Sequence, residues 1–474
     1  MVFSSHIFVF YFLPITLVLY YLLIAARVNL SIVNFFLTVA SYIFYGWLNP
    51  WFITLMWVST FLDFITGKNI SKPGATRFRR NLFLMFSMVG NLSLLGFFKY
   101  AGFFADSVNK LALIFGSTSA ILPVMHIFLP ADISFYTFQT MSYTIDVWRG
   151  DAPPVKDMAT FSCFVAMFPQ LIAGPIIRYQ SVAEQLSYRT HTLKMFLSGV
   201  TLFSLGLAKK IVLADSAALI ADTAFGADTL DPLSAWFGIL GYSFQIYFDF
   251  CGYSDMAVGL GRMLGFEFIK NFNGPYHSRS ITEFWRKWHI SLSTWIRDYL
   301  YIALGGNRKG TARTYFNLVV TFFLCGLWHG NQLHYLVWGI YQGLWLLIER
   351  LTGKKTFYGF LPAWAQLVIA QVIVLFGWVL FRAPSLDQAW HYWGCMLGLV
   401  QTTPAADLVR ANLLCTQHIF IVIVCALFTW QTTQAYHWVE KLTPFKLVLI
   451  GLLLALTVVM MFTQTFSPFL YFQF

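Results

Sequence analysis

His329 lies in the run LCGLWHG, among Phe322, Phe323, Leu324, Leu327 and Trp328. An ionisable side chain is costly at membrane depth, so one found there is a functional-site candidate by default. Gly326 and Gly330 flank it, and Gly339 and Gly343 repeat that i,i+4 spacing. Small residues so spaced let helices approach closely and would wall a narrow pocket around an imidazole. A neutral imidazole near pH 7 can serve as general base or nucleophile. The bland alternative is a histidine that caps a polar packing defect between helices.

The second candidate, His289, lies in ITEFWRKWHISLSTWIRDYLYIALGGNRKG. Ser280 and Glu283 form an S-x-x-E capping box, which predicts a helix starting at Ile281. Ile281, Phe284, Trp285, Trp288, Leu292, Trp295, Ile296 and Tyr299 fall on one apolar stripe. Arg286, Lys287, Ser293, Arg297 and Asp298 lie largely off it, so the stretch is too charged to span. It reads as an amphipathic helix in the interface or dipping into a cytoplasmic funnel. His289 falls at the edge of the stripe, where an interfacial histidine without a role is the competing reading. Arg286, Lys287, Arg297, Arg308 and Lys309 could give a phosphate-bearing donor its basic rim. Together with a buried His329, this suits acyl transfer from a cytoplasmic donor.

These residues need a membrane scaffold, and composition supplies one. The 474-residue chain is 58% hydrophobic and only 11% charged, with a mean hydropathy of +0.65. Soluble domains carry about 25% charged residues, so this is an all-α polytopic membrane protein. Its net charge of +11 is assigned to cytoplasmic loops. Nucleic-acid binding is excluded, because the basic residues sit beside apolar spans. Cys163, Cys251, Cys325, Cys395, Cys415 and Cys425 form no CxxC or metal-ligand spacing and read as small buried hydrophobes.

Hydropathy and helix breakers predict about eleven spans. MVFSSHIFVFYFLPITLVLYYLL reads as a retained first span rather than a signal peptide. Arg27 and the basic loop KNISKPGATRFRR place the N-terminus outside and residues 68–80 in the cytoplasm. Further passes are expected near 29–48, 50–66 and 82–99, two in 314–350, and others near 360–381, 418–437 and 446–463. ISFYTFQTMSYTIDVWRG is expected to pack within the bundle or at its interface. FPQLIAGPIIRY, with Pro169, Gly174 and Pro175, is expected to be a broken helix buried in protein or lining a cavity. Lys209 and Lys210 in the helical run 193–222 read as snorkelling to an interface. Asp249 and Asp255 read either as a metal or proton site or as carboxylates satisfied by amides or a basic partner. The whole is taken as one membrane-embedded unit, with N-terminal spans in 1–150, a catalytic core in 151–350 and C-terminal spans in 351–474.

The sequence resembles the membrane-bound O-acyltransferase (MBOAT) family, in the branch typified by the membrane subunit of bacterial alginate O-acetylation. The matching motifs are MVFSS, SFYTFQTMSYTIDVWRG, FPQLIAGPIIRY, QIYFDFCGYSDMAVGLG, ITEFWRKWHISLSTWIRDYLYIALGGNR, LCGLWHG and the terminal SPFLYFQF, so the resemblance covers essentially the whole chain. It departs in lacking a long polar insertion before the last span, which leaves a cellulose-acetylating relative as a candidate. The resemblance implies a ring of spans with interfacial and re-entrant helices around a central funnel in the bacterial inner membrane. The family's essential histidine maps onto His329 and its second onto His289. Acetyl-CoA as donor substrate, a periplasmic or membrane-tethered partner acyltransferase and a polysaccharide acceptor are also implied, with no bound cofactor or metal. The rival reading is a transporter or flippase of an activated precursor, for which broken helices and intramembrane aspartates would also be suitable.

Overall fold

The computed structural model describes residues 1–117, 119–123, 127–130, 132–172, 174–353, 356–431, 434–463 and 470. Every regular element among them is helical. Five helices are long and apolar enough to cross a membrane, or six if the bent pair Pro404–Leu413 and Thr416–Thr429 counts as one span. The remaining expected passes are shorter or more polar; the helix at 29–48, for example, is the 17-residue Leu30–Gly46. Contacts divide the chain into two compact units, residues 1–199 with 260–269, and residues 200–259 with 270–474.

The first unit contains α1 (Leu13–Ala25), α2 (Leu30–Gly46), α3 (Phe52–Ile70), α4 (Arg77–Ile114), α5 (Ile133–Arg149), α6 (Met158–Ala166) and α7 (Tyr179–Ser187). Asn29 and Thr76 cap α2 and α4 with side-chain oxygens. The sequence reading ends the fourth helix near Lys99, but α4 runs on to Ile114. No proline interrupts that stretch, so the helix continues. α3, α4 and α5 pack around Asp63, a fully buried carboxylate that accepts from Ser87, from Asn91 at 2.7 Å and from Thr144 at 3.1 Å. Three donors make its burial tolerable. α5, the SFYTFQTMSYTIDVWR segment, is buried along most of its length, as expected. The Pro- and Gly-containing chain between α6 and α7 is likewise buried and non-helical over most of its described residues.

α8 (Leu193–Ala208) continues through a π-helical stretch, Lys209–Ala214, into α9 (Asp215–Phe225), and α10 (Pro232–Met263) follows. In the second unit Gly206 and Gly252 bring α8 and α10 into backbone contact; a Cβ on Gly206 would lie 2.5 Å from Gly252 O. That approach puts Lys209 Nζ 2.5 Å from Asp255, and Lys210 Nζ 2.6 Å from Asp215 and 2.9 Å from Asp249. Snorkelling is therefore the wrong reading for Lys210, whose side chain is only 3% exposed. Removing one partner from such a buried set leaves an uncompensated charge. Asp249 also accepts from the Leu470 amide at 2.8 Å. The rest of the SPFLYFQF motif lies outside the described residues.

The second unit continues with α11 (Ile281–Lys287), α12 (Ile290–Trp295), α13 (Thr311–His329), α14 (Leu333–Leu351), α15 (Ala363–Arg382), α16 (Leu386–Met396), α17 (Pro404–Leu413), α18 (Thr416–Thr429), α19 (Ala435–Trp438) and α20 (Pro444–Thr463). α13 and α14 lie where two passes are expected in 314–350, but neither is among the helices long and apolar enough to cross a membrane. They form an antiparallel hairpin held at closest range where Gly326 faces Tyr335 and Gly339.

Candidate functional site

The segment that carries His289 is not one amphipathic helix. It starts as predicted, with Ser280 Oγ accepting from the Glu283 amide at 3.0 Å. A second carboxylate secures the same end: Glu349 of α14 accepts from the Ile281 and Thr282 amides at 2.6 and 2.9 Å. The helix stops at Lys287, and His289 adopts φ +44°, ψ +56°, in the left-handed region that a side chain rarely occupies. The strand of chain at 271–273 causes the break by taking up the backbone groups. Asn273 N–H donates to Lys287 O at 3.0 Å, and Ile290 N–H donates to Asn271 O at 2.9 Å.

The break moves His289 from the stripe's edge into the core, where it is 1% exposed. Its Nδ1 lies 3.1 Å from Asn271 Oδ1, which also accepts from the Ser291 amide and hydroxyl. That oxygen can only accept, so Nδ1 carries the proton and Nε2 is the basic nitrogen. Burial pushes the imidazole's pKa down to about 3, which keeps it neutral. Acid should therefore destabilise the protein through this residue. The unfolded imidazole takes up its proton below about pH 6.5, whereas the buried one does so only near 3, so stability falls as pH falls through that interval. The expected loss at pH 5 is about 2 kcal/mol. It should appear as a drop in detergent melting temperature between pH 7 and 5 that His289→Asn reduces. An equal drop in that variant would refute the assignment.

His329 ends α13 and is 6% exposed. Its ring meets Trp328 at 4.7 Å, Trp338 at 5.1 Å and Phe381 at 5.1 Å, each close to perpendicular. Trp328 also lies 6.4 Å from His289. The structure thus brings both sequence-predicted histidines to a single tryptophan. His334, in contrast, has Nδ1 2.9 Å from Leu380 O and Nε2 2.7 Å from Gln332 Oε1, contacts that hold it in place between α14 and α15.

A cavity of about 440 Å³ lies against α13, with Thr321 and Cys325 in its wall and Arg286, Arg297 and Arg350 around it. Asn317, Thr321, Cys325 and His329 succeed one another at i,i+4 on α13, all buried. The cavity wall therefore reaches within one helical turn of the imidazole. Of the five predicted donor-binding residues, Arg286 and Arg297 line this cavity, and Lys287, Arg308 and Lys309 do not. Lys287 is paired with Glu283 at 2.6 Å, and Arg297 with Asp298 at 2.6 Å. Arg350 escaped the sequence reading, although a hairpin of two 19-residue helices returns it to the end of α13 that the basic segment precedes. Asn271 escaped too, in the Gly- and Pro-containing stretch NFNGPYHSRS that leads into the capping box. Among the described residues no group of His, Cys, Asp and Glu side chains is arranged to hold a metal ion.

Residues 149–386 match the membrane-bound O-acyltransferase family. The chain is 46% identical to the probable alginate O-acetylase AlgI of Pseudomonas aeruginosa over 413 residues, covering 87% of this chain and 78% of that one. It is 43% identical to the probable alginate O-acetylase AlgI of Pseudomonas putida over the whole of both chains. The peptidoglycan O-acetyltransferase of Helicobacter pylori is 31% identical, covering 100% of this chain and 98% of that one.

Proposed function

The chain belongs to the membrane-bound O-acyltransferase family, and on that premise we propose that it takes acetyl from cytoplasmic acetyl-CoA and passes it across the bacterial inner membrane for O-acetylation of an exported polysaccharide. It is an O-acyltransferase with His329 as the reacting centre, as general base or nucleophile, and His289 as the residue that supports it. The acceptor is a polymer of the alginate or cellulose type, reached with a periplasmic or membrane-tethered partner acyltransferase. The N-terminus is periplasmic, and residues 68–80 and 286–309 face the cytoplasm.

The observation that carries this reading is the cavity beside α13. Three arginines surround it and the Thr321–Cys325 wall leads toward His329. Fixed guanidinium groups suit phosphate oxygens, and the cavity's size lies within the range of small-molecule sites. The adenosine phosphates of the donor would stay at the arginines while the slender thioester arm lies along α13.

Thioester cleavage by the purified protein tests the reading. Arg286→Glu with Arg350→Glu should raise the KM for acetyl-CoA about tenfold or more, since each charge-assisted contact is worth about 1.5–3 kcal/mol, less screening at the exposed Arg286. The effect should shrink at high salt. Wild-type kinetics in the double variant would remove the donor from this cavity, and absence of any thioester cleavage would favour a carrier without bond-making chemistry.

A further inference from the structure

Besides Trp328, which touches the imidazole directly, three indoles of the second unit stack beside the site, Trp338 against the imidazole with Trp285 and Trp378 against Trp338, and the N–H groups of these three are used differently. Trp285 Nε1 donates to Gln342 Oε1 at 3.2 Å, and Trp378 Nε1 donates to Tyr276 Oη at 3.2 Å. Trp338 is 1% exposed and lies between them, 5.8 Å from Trp285 and 6.5 Å from Trp378. Its Nε1 has no acceptor among the described residues. Buried donors are almost always paired, so an orphan in a native core calls for a reason such as a water or a ligand. This one belongs to the ring that meets His329 at 5.1 Å and 86°. The packing that satisfies the two neighbouring indoles leaves this donor for something that enters the site.

We propose that the Trp338 indole N–H is the oxyanion donor of the acyl transfer, a proposal that rests on His329 as the reacting centre. As the acceptor hydroxyl oxygen attacks the thioester carbonyl carbon, His329 takes the hydroxyl proton. The carbonyl π pair moves onto its oxygen, which receives the Trp338 hydrogen bond. Collapse reforms the carbonyl and breaks the carbon–sulfur bond, and the thiolate leaves with the proton that His329 held. The same oxygen is held if His329 itself attacks first. A neutral donor fixed in a dry aromatic wall needs no reorganisation as charge develops, which is where such donors are most effective.

The test replaces Trp338 in the full-length protein by benzothienylalanine, which keeps the two-ring shape and exchanges N–H for sulfur, and in parallel by Phe. Acetyl-CoA turnover is measured for each, with melting temperature in detergent. The expected result for benzothienylalanine is a kcat lower by about 10²–10³-fold, with KM within threefold and an unchanged melting temperature. The Phe variant should match it in kcat wherever it folds. Wild-type kcat in the benzothienylalanine protein, or a raised KM at unchanged kcat, overturns the proposal. His329→Ala separates the two levels. If it is inactive while benzothienylalanine is tolerated, only the oxyanion role falls. If it is active, the reading beneath falls as well.

Discussion

His329→Ala is expected to abolish acetylation of the exported polymer while the protein still inserts and folds. The imidazole is walled by Trp328, Trp338 and Phe381 at centroid distances of 4.7 to 5.1 Å. The arginine-lined cavity ends one turn short of it, at Cys325. General-base help is worth about 10²–10⁴ in rate, and loss of a nucleophile would cost more. Truncation leaves a void in the aromatic wall, so the fold must be checked with membrane abundance and detergent monodispersity. His289→Ala should also impair activity, by freeing the break that Asn271 holds, and His334→Ala should matter less. Near-normal acetyl content in polymer from the His329→Ala strain would sink the enzymatic centre placed here.

Gly326→Ala and Gly339→Ala should each cost most of the folded protein, although both substitutions add a single methyl group. A Cβ on Gly326 would stand 2.3 Å from Tyr335 O, and one on Gly339 would stand 2.4 Å from Phe322 O. Both obstacles are backbone atoms, so no side chain can swing aside and the two helices must separate. Ordinary overpacking costs about 1–3 kcal/mol and occasionally more; forcing apart a hairpin that positions His329, Thr321 and Arg350 belongs at the upper end. Gly451→Ala in α20 is the control, because a Cβ there meets nothing within 4 Å. Membrane yield and monodispersity of the three variants measure the effect. Wild-type yield of Gly326→Ala would show that the helices do not touch as described.

The sequence made parts of this site legible and hid others for physical reasons. An ionisable residue between glycines in an apolar run is a local signal, so His329 could be singled out as a candidate and the pair of helices around it read directly. The capping box at Ser280 was also local, and its bond is present. The reversal of His289 from stripe edge to core was not local. It depends on Asn271, a residue in a separate loop whose carbonyl and side chain capture groups on both sides of the break. Helical periodicity has no means of registering that competition. Lys210 misled for a similar reason: a lysine near an apolar run usually reaches for water, and here Asp215 and Asp249 arrive first. Arg350 required knowledge of where the hairpin turns. The span count was least readable, since a helix buried among other helices tolerates the short, polar composition that lipid exposure would forbid.

The indoles in contact with His329 have an optical consequence. Imidazolium quenches indole emission far better than neutral imidazole does, and the effect needs near contact. Trp328 and Trp338, at 4.7 and 5.1 Å, are in that range. A proton arriving on this ring therefore changes the light emitted by its own walls, and the reacting centre proposed at His329 carries a reporter that no label need supply.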